Sequence, residues 1–257
     1  MAHLHAIDGF WPLIQVLDIS IPTYYLIVSL SLSVCLLWVV HRAKVRELDG
    51  LVAIDLSILI MLSGFFGARI FHILFEDFDF YLKNPIEIFK FWNGGFVFYG
   101  GALAAFFSGI MFLRWRKQVL GDWLNLVAPV AALGYALGRM ACLVTGCCFG
   151  RICDLNPEYQ FRHPTQLYAV IFEFVVLCIL LRIEKKPSIL NKRITQTSGH
   201  LFVIWLVFHS LGRIMMEYFR ADPRGAMYFS LSISTWISIF ILAFSGLYLK
   251  RGAQVPK

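Results

Sequence analysis

Arg69, Arg139 and Arg213 each stand inside a stretch otherwise apolar enough to cross a bilayer, where an unpaired guanidinium is costly to hold. A guanidinium keeps its charge at physiological pH and presents a planar fork of donors matched to phosphate or carboxylate. Three such forks at membrane depth point to an anion bound there, and a phospholipid headgroup is the anion at hand. His209, Arg213, Glu217 and Arg220 follow at spacings of four, four and three, which stack them along one helix face. A polar stripe in an apolar span faces protein or a water-filled cavity. Glu217 can neutralise Arg213 or Arg220 within that ladder. Asp55 and Glu173, also in apolar stretches, can each reach one of the arginines, and the remaining cations have no acidic partner in their own stretch.

Two glycine-rich runs accompany these cations. ALGRMACLVTGCCFGR sets Gly146 and Gly150 after Arg139, where exposed backbone donors and the guanidinium can hold phosphate oxygens as an anion nest; an arginine snorkelling toward headgroups is the alternative. WNGGFVFYGG sets Gly94, Gly95, Gly100 and Gly101 at the start of another apolar stretch, where missing side chains admit either a ligand or a neighbouring helix. Of six cysteines, Cys35 and Cys178 read as small apolar fillers, while Cys142, Cys147, Cys148 and Cys153 cluster after Arg139. A disulfide among these four, with Cys147 and Cys153 as one pairing, or unpaired filler comes first, and a redox-active thiol second. The spacing fits neither a zinc site nor a haem-attachment CxxCH, so a metal comes a distant third, none is assigned, and no cofactor is expected.

The elements that position these residues follow from composition. With 59% hydrophobic and 15% charged residues over 257 positions and a mean hydropathy of +0.70, the chain is too apolar for an ordinary soluble domain. It reads as an all-α polytopic membrane protein. Apolar runs near the ~20 residues a helix needs to cross the hydrocarbon fall at about 21–41, 51–75, 95–113, 122–144, 165–182, 199–219 and 228–249. These seven spans form a single integral membrane domain over 1–257. The first twenty residues lack the charged start and small-residue cleavage site of a signal peptide and read as an amphipathic entry segment at the surface. The acidic and aromatic loop 76–94 reads first as a plain aromatic belt, and its composition also suits a short helix at headgroup level.

Basic residues set the orientation, because cytoplasmic loops retain Lys and Arg. Arg42, Lys44, Arg46, Arg114, Arg116, Lys117, Arg182, Lys185, Lys186, Lys192, Arg193, Lys250, Arg251 and Lys257 fall on one side, and only Lys83, Lys90, Arg151, Arg162, Arg220 and Arg224 on the other. The N-terminus is therefore expected outside and the C-terminus in the cytoplasm. The net charge of +7 requires no nucleic acid, since an inner-face clamp on anionic lipid accounts for it.

The order of motifs resembles the prolipoprotein diacylglyceryl transferase family, inner-membrane enzymes that move diacylglyceryl from phosphatidylglycerol onto a lipoprotein cysteine. TYYL at Tyr24, GARIFHILF at Arg69, WNGGFVFYGG, GRMACLVTGCCFGR, RHPTQLY from Arg162 to Tyr168 and GRIMMEYFRADP at Arg213 carry the resemblance, and six spaced motifs in order over seven spans are specific. It implies a seven-helix body in the bacterial inner membrane, a lipid site opening sideways to the bilayer and a catalytic face toward the periplasm. Its partners would be phosphatidylglycerol, the signal segment of a prolipoprotein with its lipobox cysteine, and membrane lipids. Arg139 and Gly150 match the family's signature Arg and closing Gly. Arg213 matches its second essential Arg, Glu217 and Arg220 the acidic and basic residues that follow, and Tyr24 a tyrosine of the first span. Arg69, Gly100 and Gly101 are expected to join Tyr24, Gly150 and Arg220 in binding substrate.

Four positions depart from the family. Tyr99 stands where it has His, Cys142 where it has Asn, Cys147 where it has Glu, and His209 where it usually has Tyr. Transfer needs negative charge stabilised on the leaving glycerol phosphate and a thiol helped toward thiolate. Arginines serve the first need. For the second, imidazole is a natural proton acceptor near neutral pH, whereas a phenol, titrating near ~10, is a poor one. His209 is thus expected to take over the base from Tyr99, with Arg139, Arg213, Tyr99, His209 and Glu217 as the catalytic set. The alternative is a relative that keeps the fold and binds phospholipid or transfers another lipid-linked group without modifying prolipoproteins.

Overall fold

A computed structural model of the chain describes residues 13–16, 19–91, 94–152, 162–190, 192–195, 197–220, 227–229 and 231–252. In chain order these form an antiparallel hairpin of β1 (Leu13–Val16) and β2 (Ile19–Pro22), then α1 (Thr23–Val45), α2 (Gly50–Phe75), α3 (Phe78–Lys83), a 3-10 turn (Pro85–Phe89), α4 (Phe98–Trp115), α5 (Leu120–Val144), α6 (Thr165–Lys185), a second 3-10 turn (Pro187–Ile189), α7 (Lys192–Thr195), α8 (His200–Phe219), a hairpin of β3 (Met227–Tyr228) and β4 (Leu231–Ser232), and α9 (Ile233–Gly252).

Helices α1, α2, α4, α5, α6, α8 and α9 are long and apolar enough to cross a membrane. They coincide with the seven expected spans. The largest offset is at the last, placed from 228 but starting at Ile233, because Tyr228 and Leu231 pair across a hairpin first. The expected amphipathic entry segment is corrected in part: Leu13–Val16 and Ile19–Pro22 pair as strands, with backbone bonds closed by a partner strand, while residues 1–12, 17 and 18 lie outside the described set. Loop 76–94 does hold short helical pieces, α3 and the 3-10 turn from Pro85.

The large side chains turned outward are apolar, among them Phe107, Met111, Phe240, Phe244 and Leu247. Buried positions are mixed: on α9 they include Ser234, Thr235, Ser238 and Ser245, while Leu56, Leu126, Leu180 and Leu201 are buried on other helices. The outward apolar surface and the buried hydroxyls have one physical cause. Lipid solvates Leu and Phe as well as a protein core does, so helices associate through small residues and hydroxyls that allow close approach.

By backbone contacts the chain divides into two compact units, Trp38–Trp123 and Met1–Leu37 with Leu124–Lys257. Within the first, α2 begins at Asp49, whose carboxylate accepts from the N–H of Leu51 at 2.8 Å, satisfying a donor the helix start leaves free. Helix α2 then packs tightly on α4 through Gly64 and Gly67 against Gly100, Gly101 and Ala104, and Ser63 and Ser108 hydrogen bond across the pair at 2.7 Å. Within the second, α5 contributes a small-residue face of Ala128, Ala132 and Ala136, all buried. The Asn125 side chain accepts from the N–H of Leu201 at 2.9 Å, tying α5 to the first turn of α8, and α6 and α9 both pack on α8.

Candidate active site

In the Trp38–Trp123 unit, Arg69 is buried, 3% exposed, and holds a cage of backbone carbonyls. Its Nε donates to Ile88, Nη1 to Gly94 and Gly95, and Nη2 to Glu87 and Lys90. A guanidinium has five N–H donors, and all are engaged. The expectation that Arg69 offers its fork to a substrate anion is corrected: it pins the segment 87–95 over α2, with its charge against the rings of Tyr81, Phe91 and Phe96. Gly95, at φ +79, completes the cage, since a Cβ there would meet His72 and Arg69 Nη1 at 2.5 and 2.7 Å.

Gly100 and Gly101, expected to bind substrate, are instead buried in the α2–α4 seam. A Cβ on Gly100 would lie 2.3 Å from that of Phe71 and 2.7 Å from the Gly67 carbonyl oxygen, and one on Gly101 2.8 Å from that of Gly64. Tyr99 is half-buried, and among the described residues its hydroxyl makes no hydrogen bond. Asp55 reaches Arg116, at 3.9 Å, rather than an intramembrane arginine.

The other unit gathers most of the remaining candidates. Among the described residues Arg139, half-buried on α5, makes one side-chain hydrogen bond: its Nε donates to the Tyr135 hydroxyl at 3.1 Å, one helical turn back. Among the described residues its two terminal nitrogens carry no hydrogen bond and no carboxylate pairs with it. Arg220 and Cys142 both lie within its electrostatic reach. The Tyr135 ring stands edge-on to His209, centroids 4.5 Å apart, so α5 joins Arg139 to α8 through one tyrosine.

His209 is braced from α6. Its Nδ1 meets Glu173 Oε1 at 2.5 Å, and Glu173 is 2% exposed. Glu173 therefore serves the histidine, not an arginine as the sequence allowed. Nothing in sequence marks this pair, 36 positions apart on two helices. A carboxylate on Nδ1 fixes the ring and leaves Nε2 as the acceptor; among the described residues Nε2 has no partner. Glu173 Oε2 is also buried without one. Tyr135, Phe172, Glu173, His209, Gly212, Arg213 and Met216 line a small cleft.

Arg213 is neutralised one turn away. Its Nη1 donates to Glu217 Oε2 at 2.9 Å and its Nη2 to Ser234 Oγ on α9 at 2.7 Å, and the pair is largely shielded, side chains 14% and 20% exposed. The ladder reading of the stripe thus holds for Arg213 and Glu217. Of three arginines expected to offer surplus charge, Arg139 alone does so among the described residues.

Arg220 and Gly150 meet as backbone. They form an antiparallel bridge, flanked by Gly150 N–H donating to the His163 carbonyl and Arg151 N–H to that of Phe219, each at 2.8 Å. This stitches the turn after α5 to the start of α6 and the end of α8. A Cβ on Gly150 would sit 2.3 Å from the Phe219 carbonyl oxygen, which explains the glycine. Tyr24, on α1, lies within electrostatic reach of Arg139 and of the thiols of Cys142, Cys147 and Cys148. Those three thiols sit together, and hydrogen bonding first with Cys142 and then with Cys148 holds the Cys147 thiol below its usual range. All five described cysteines are free; Cys153 lies outside the described residues, and with it the suggested Cys147 pairing.

Arg139 with its terminal nitrogens unengaged among the described residues, the Glu173-braced His209 and the glycine-locked turn at Gly150 lie within one helical unit. The family model described as prolipoprotein diacylglyceryl transferase matches residues 12–250. Among similar proteins, the phosphatidylglycerol–prolipoprotein diacylglyceryl transferase of Clostridium tetani is 27% identical over 90% of this chain and 92% of its own length. The transferase 2 of Clostridium perfringens is 30% identical over 89% and 90%, and the transferase of Polynucleobacter necessarius 33% identical over 76% and 75%. With the match running from the first hairpin into the last membrane-length helix, the chain belongs to the prolipoprotein diacylglyceryl transferase family.

Proposed function

We propose that this chain transfers diacylglyceryl from phosphatidylglycerol to the cysteine thiol of a prolipoprotein lipobox, releasing glycerol phosphate, as a multi-pass protein of the bacterial inner membrane with its basic loops in the cytoplasm. The names of its relatives support the substrates. The observation that carries the reading is Arg139, whose terminal nitrogens are uncommitted among the described residues and whose Nε is tied through Tyr135 to a braced histidine.

The cysteine sulfur attacks the glyceryl carbon that bears the phosphate ester. A carbon–sulfur bond forms, the carbon–oxygen bond to phosphate breaks, and the electron pair leaves on glycerol phosphate. One negative charge on the diester becomes two on the leaving monoester, and the fork of Arg139 faces that gain, with Arg220 and Tyr24 helping to hold the headgroup. Such donors matter most where charge develops. The thiol proton passes to His209 Nε2, while Glu173 holds Nδ1 and stabilises the imidazolium that forms. Arg213, fixed by Glu217 and Ser234, lines the same cleft as His209 and shapes its wall, its charge already balanced by Glu217. Gly150 keeps the turn after Arg139 in place.

The test uses purified protein in vesicles of phosphatidylglycerol labelled in its acyl chains, with a lipobox peptide. The expected result is label on the peptide, one glycerol phosphate released per transfer, and neither product when the peptide cysteine is replaced by serine. Phospholipid binding without either product would refute the transferase reading.

A further inference from the structure

Cys142 lies in the last turn of α5 and Cys147 and Cys148 follow in the turn beyond it, a spacing with no familiar metal-binding pattern, yet the fold brings all three sulfurs to one point. Each Sγ lies within 4.8 Å of the others, and those of Cys147 and Cys148 are 3.7 Å apart. Adjacent side chains ordinarily diverge. Here Cys148 takes φ +65, a left-handed conformation that a non-glycine residue adopts at a cost and that persists where its surroundings hold it.

Those surroundings are present. The Thr165 hydroxyl donates to the Cys148 carbonyl at 2.8 Å, the Gln166 amide donates to that of Cys147, and both side chains are buried, 5% and 0% exposed. The Cys147 N–H donates to the Cys142 carbonyl at 3.0 Å. The backbone carrying the thiols is thus fixed from α6 before any ligand arrives, the preorganisation a ligand site needs.

Sulfurs bound to one zinc-sized ion at ~2.3 Å stand about 3.8–4.0 Å apart, within the spread seen here. Three sulfur donors without oxygen select against calcium and magnesium and favour zinc or copper(I). Arg139 lies in electrostatic reach of Cys142 and Cys147 and offsets the negative charge left when three thiolates bind one such cation.

We infer that Cys142, Cys147 and Cys148 form a three-sulfur site for a thiophilic cation, zinc or copper(I), that staples the end of α5 to the turn leading to Gly150. Each ligating thiol gives its proton to solvent on binding. The site does not depend on the transferase reading, and its test reads metal, not transfer.

The full chain is purified in detergent without oxygen, stripped with chelator, and titrated with zinc, with copper(I), and with cadmium for its thiolate charge-transfer band. The expected result is one ion per chain, with a cadmium band. Affinity falls more than about a hundredfold in Cys148→Ser and binding is lost in the triple serine variant, while Cys178→Ser is unchanged; ligand loss exceeds the about 10- to 100-fold of outer-shell changes. Equal stoichiometry and affinity in the triple variant would overturn the assignment. Should the variants misfold, the unaltered protein decides. Bound metal is expected to shield Cys142, Cys147 and Cys148 from maleimide but not Cys178, and labelling indifferent to metal, or a disulfide among the three under anaerobic purification, would overturn it.

Discussion

Replacing Glu173 by Gln keeps the volume and an acceptor oxygen but removes the charge that faces His209. Glu173 is 2% exposed and its Oε1 lies 2.5 Å from Nδ1, so water cannot take its place. A hydrogen bond to a charged group contributes about 1.5–3 kcal/mol, and about 1.4 kcal/mol is a factor of ten in rate. Because the imidazolium forms only as the thiol gives up its proton, the loss falls on the chemical step. We expect kcat/KM to drop about 10- to 100-fold, carried by kcat, with KM for phosphatidylglycerol within about twofold because Arg139 still holds the phosphate. The assay is the initial rate of peptide labelling at several lipid concentrations. His209→Asn should cost more, and the double variant no more than His209→Asn alone, since both changes remove one unit. A folded Glu173→Gln protein with kcat/KM within about twofold of the original would refute the base assignment, as would a loss confined to KM.

Further outcomes follow from the packing. Arg69→Lys exchanges five donors for three and leaves carbonyls of the 87–95 segment unsatisfied, so thermal unfolding in detergent should show a loss of at least about 2 kcal/mol. Gly150→Ala puts a Cβ 2.3 Å from a backbone oxygen and should destabilise by about 1–3 kcal/mol or more, read as a lower Tm and folded yield. Gly100→Ala should also lower Tm, through contact with Phe71 and Gly67, yet leave kcat/KM per folded molecule within about twofold; a selective loss of transfer would return Gly100 to the substrate site.

The spans were legible because a bilayer imposes length and apolarity directly on each helix, and the long apolar runs have no other reading. The strands at Leu13–Val16 and Ile19–Pro22 were not, since a short apolar run with few charges fits a strand or a surface helix equally. Arg139 stood out as a charge inside such a run, and its tie to Tyr135 follows from a spacing of four. The partners of Arg69 left no trace in sequence: they are backbone carbonyls, which every residue carries. Gly100 and Gly101 could serve a ligand or a neighbouring helix until Gly64 and Gly67 were found opposite. Glu173 read in sequence as a partner for an arginine, because its pairing with His209 depends on how α6 is turned toward α8, and the three thiols converge only through the left-handed turn at Cys148.

The central claim is that the uncommitted fork of Arg139 meets the phosphate as its charge grows. Arg139→Gln, shown folded by its unfolding profile, is to be compared with the original protein in the vesicle transfer assay at saturating phosphatidylglycerol. Removing a donor aimed at developing charge costs about 10²–10³ in kcat, and a loss of at least about a hundredfold is expected. Transfer within about twofold of the original would contradict the account.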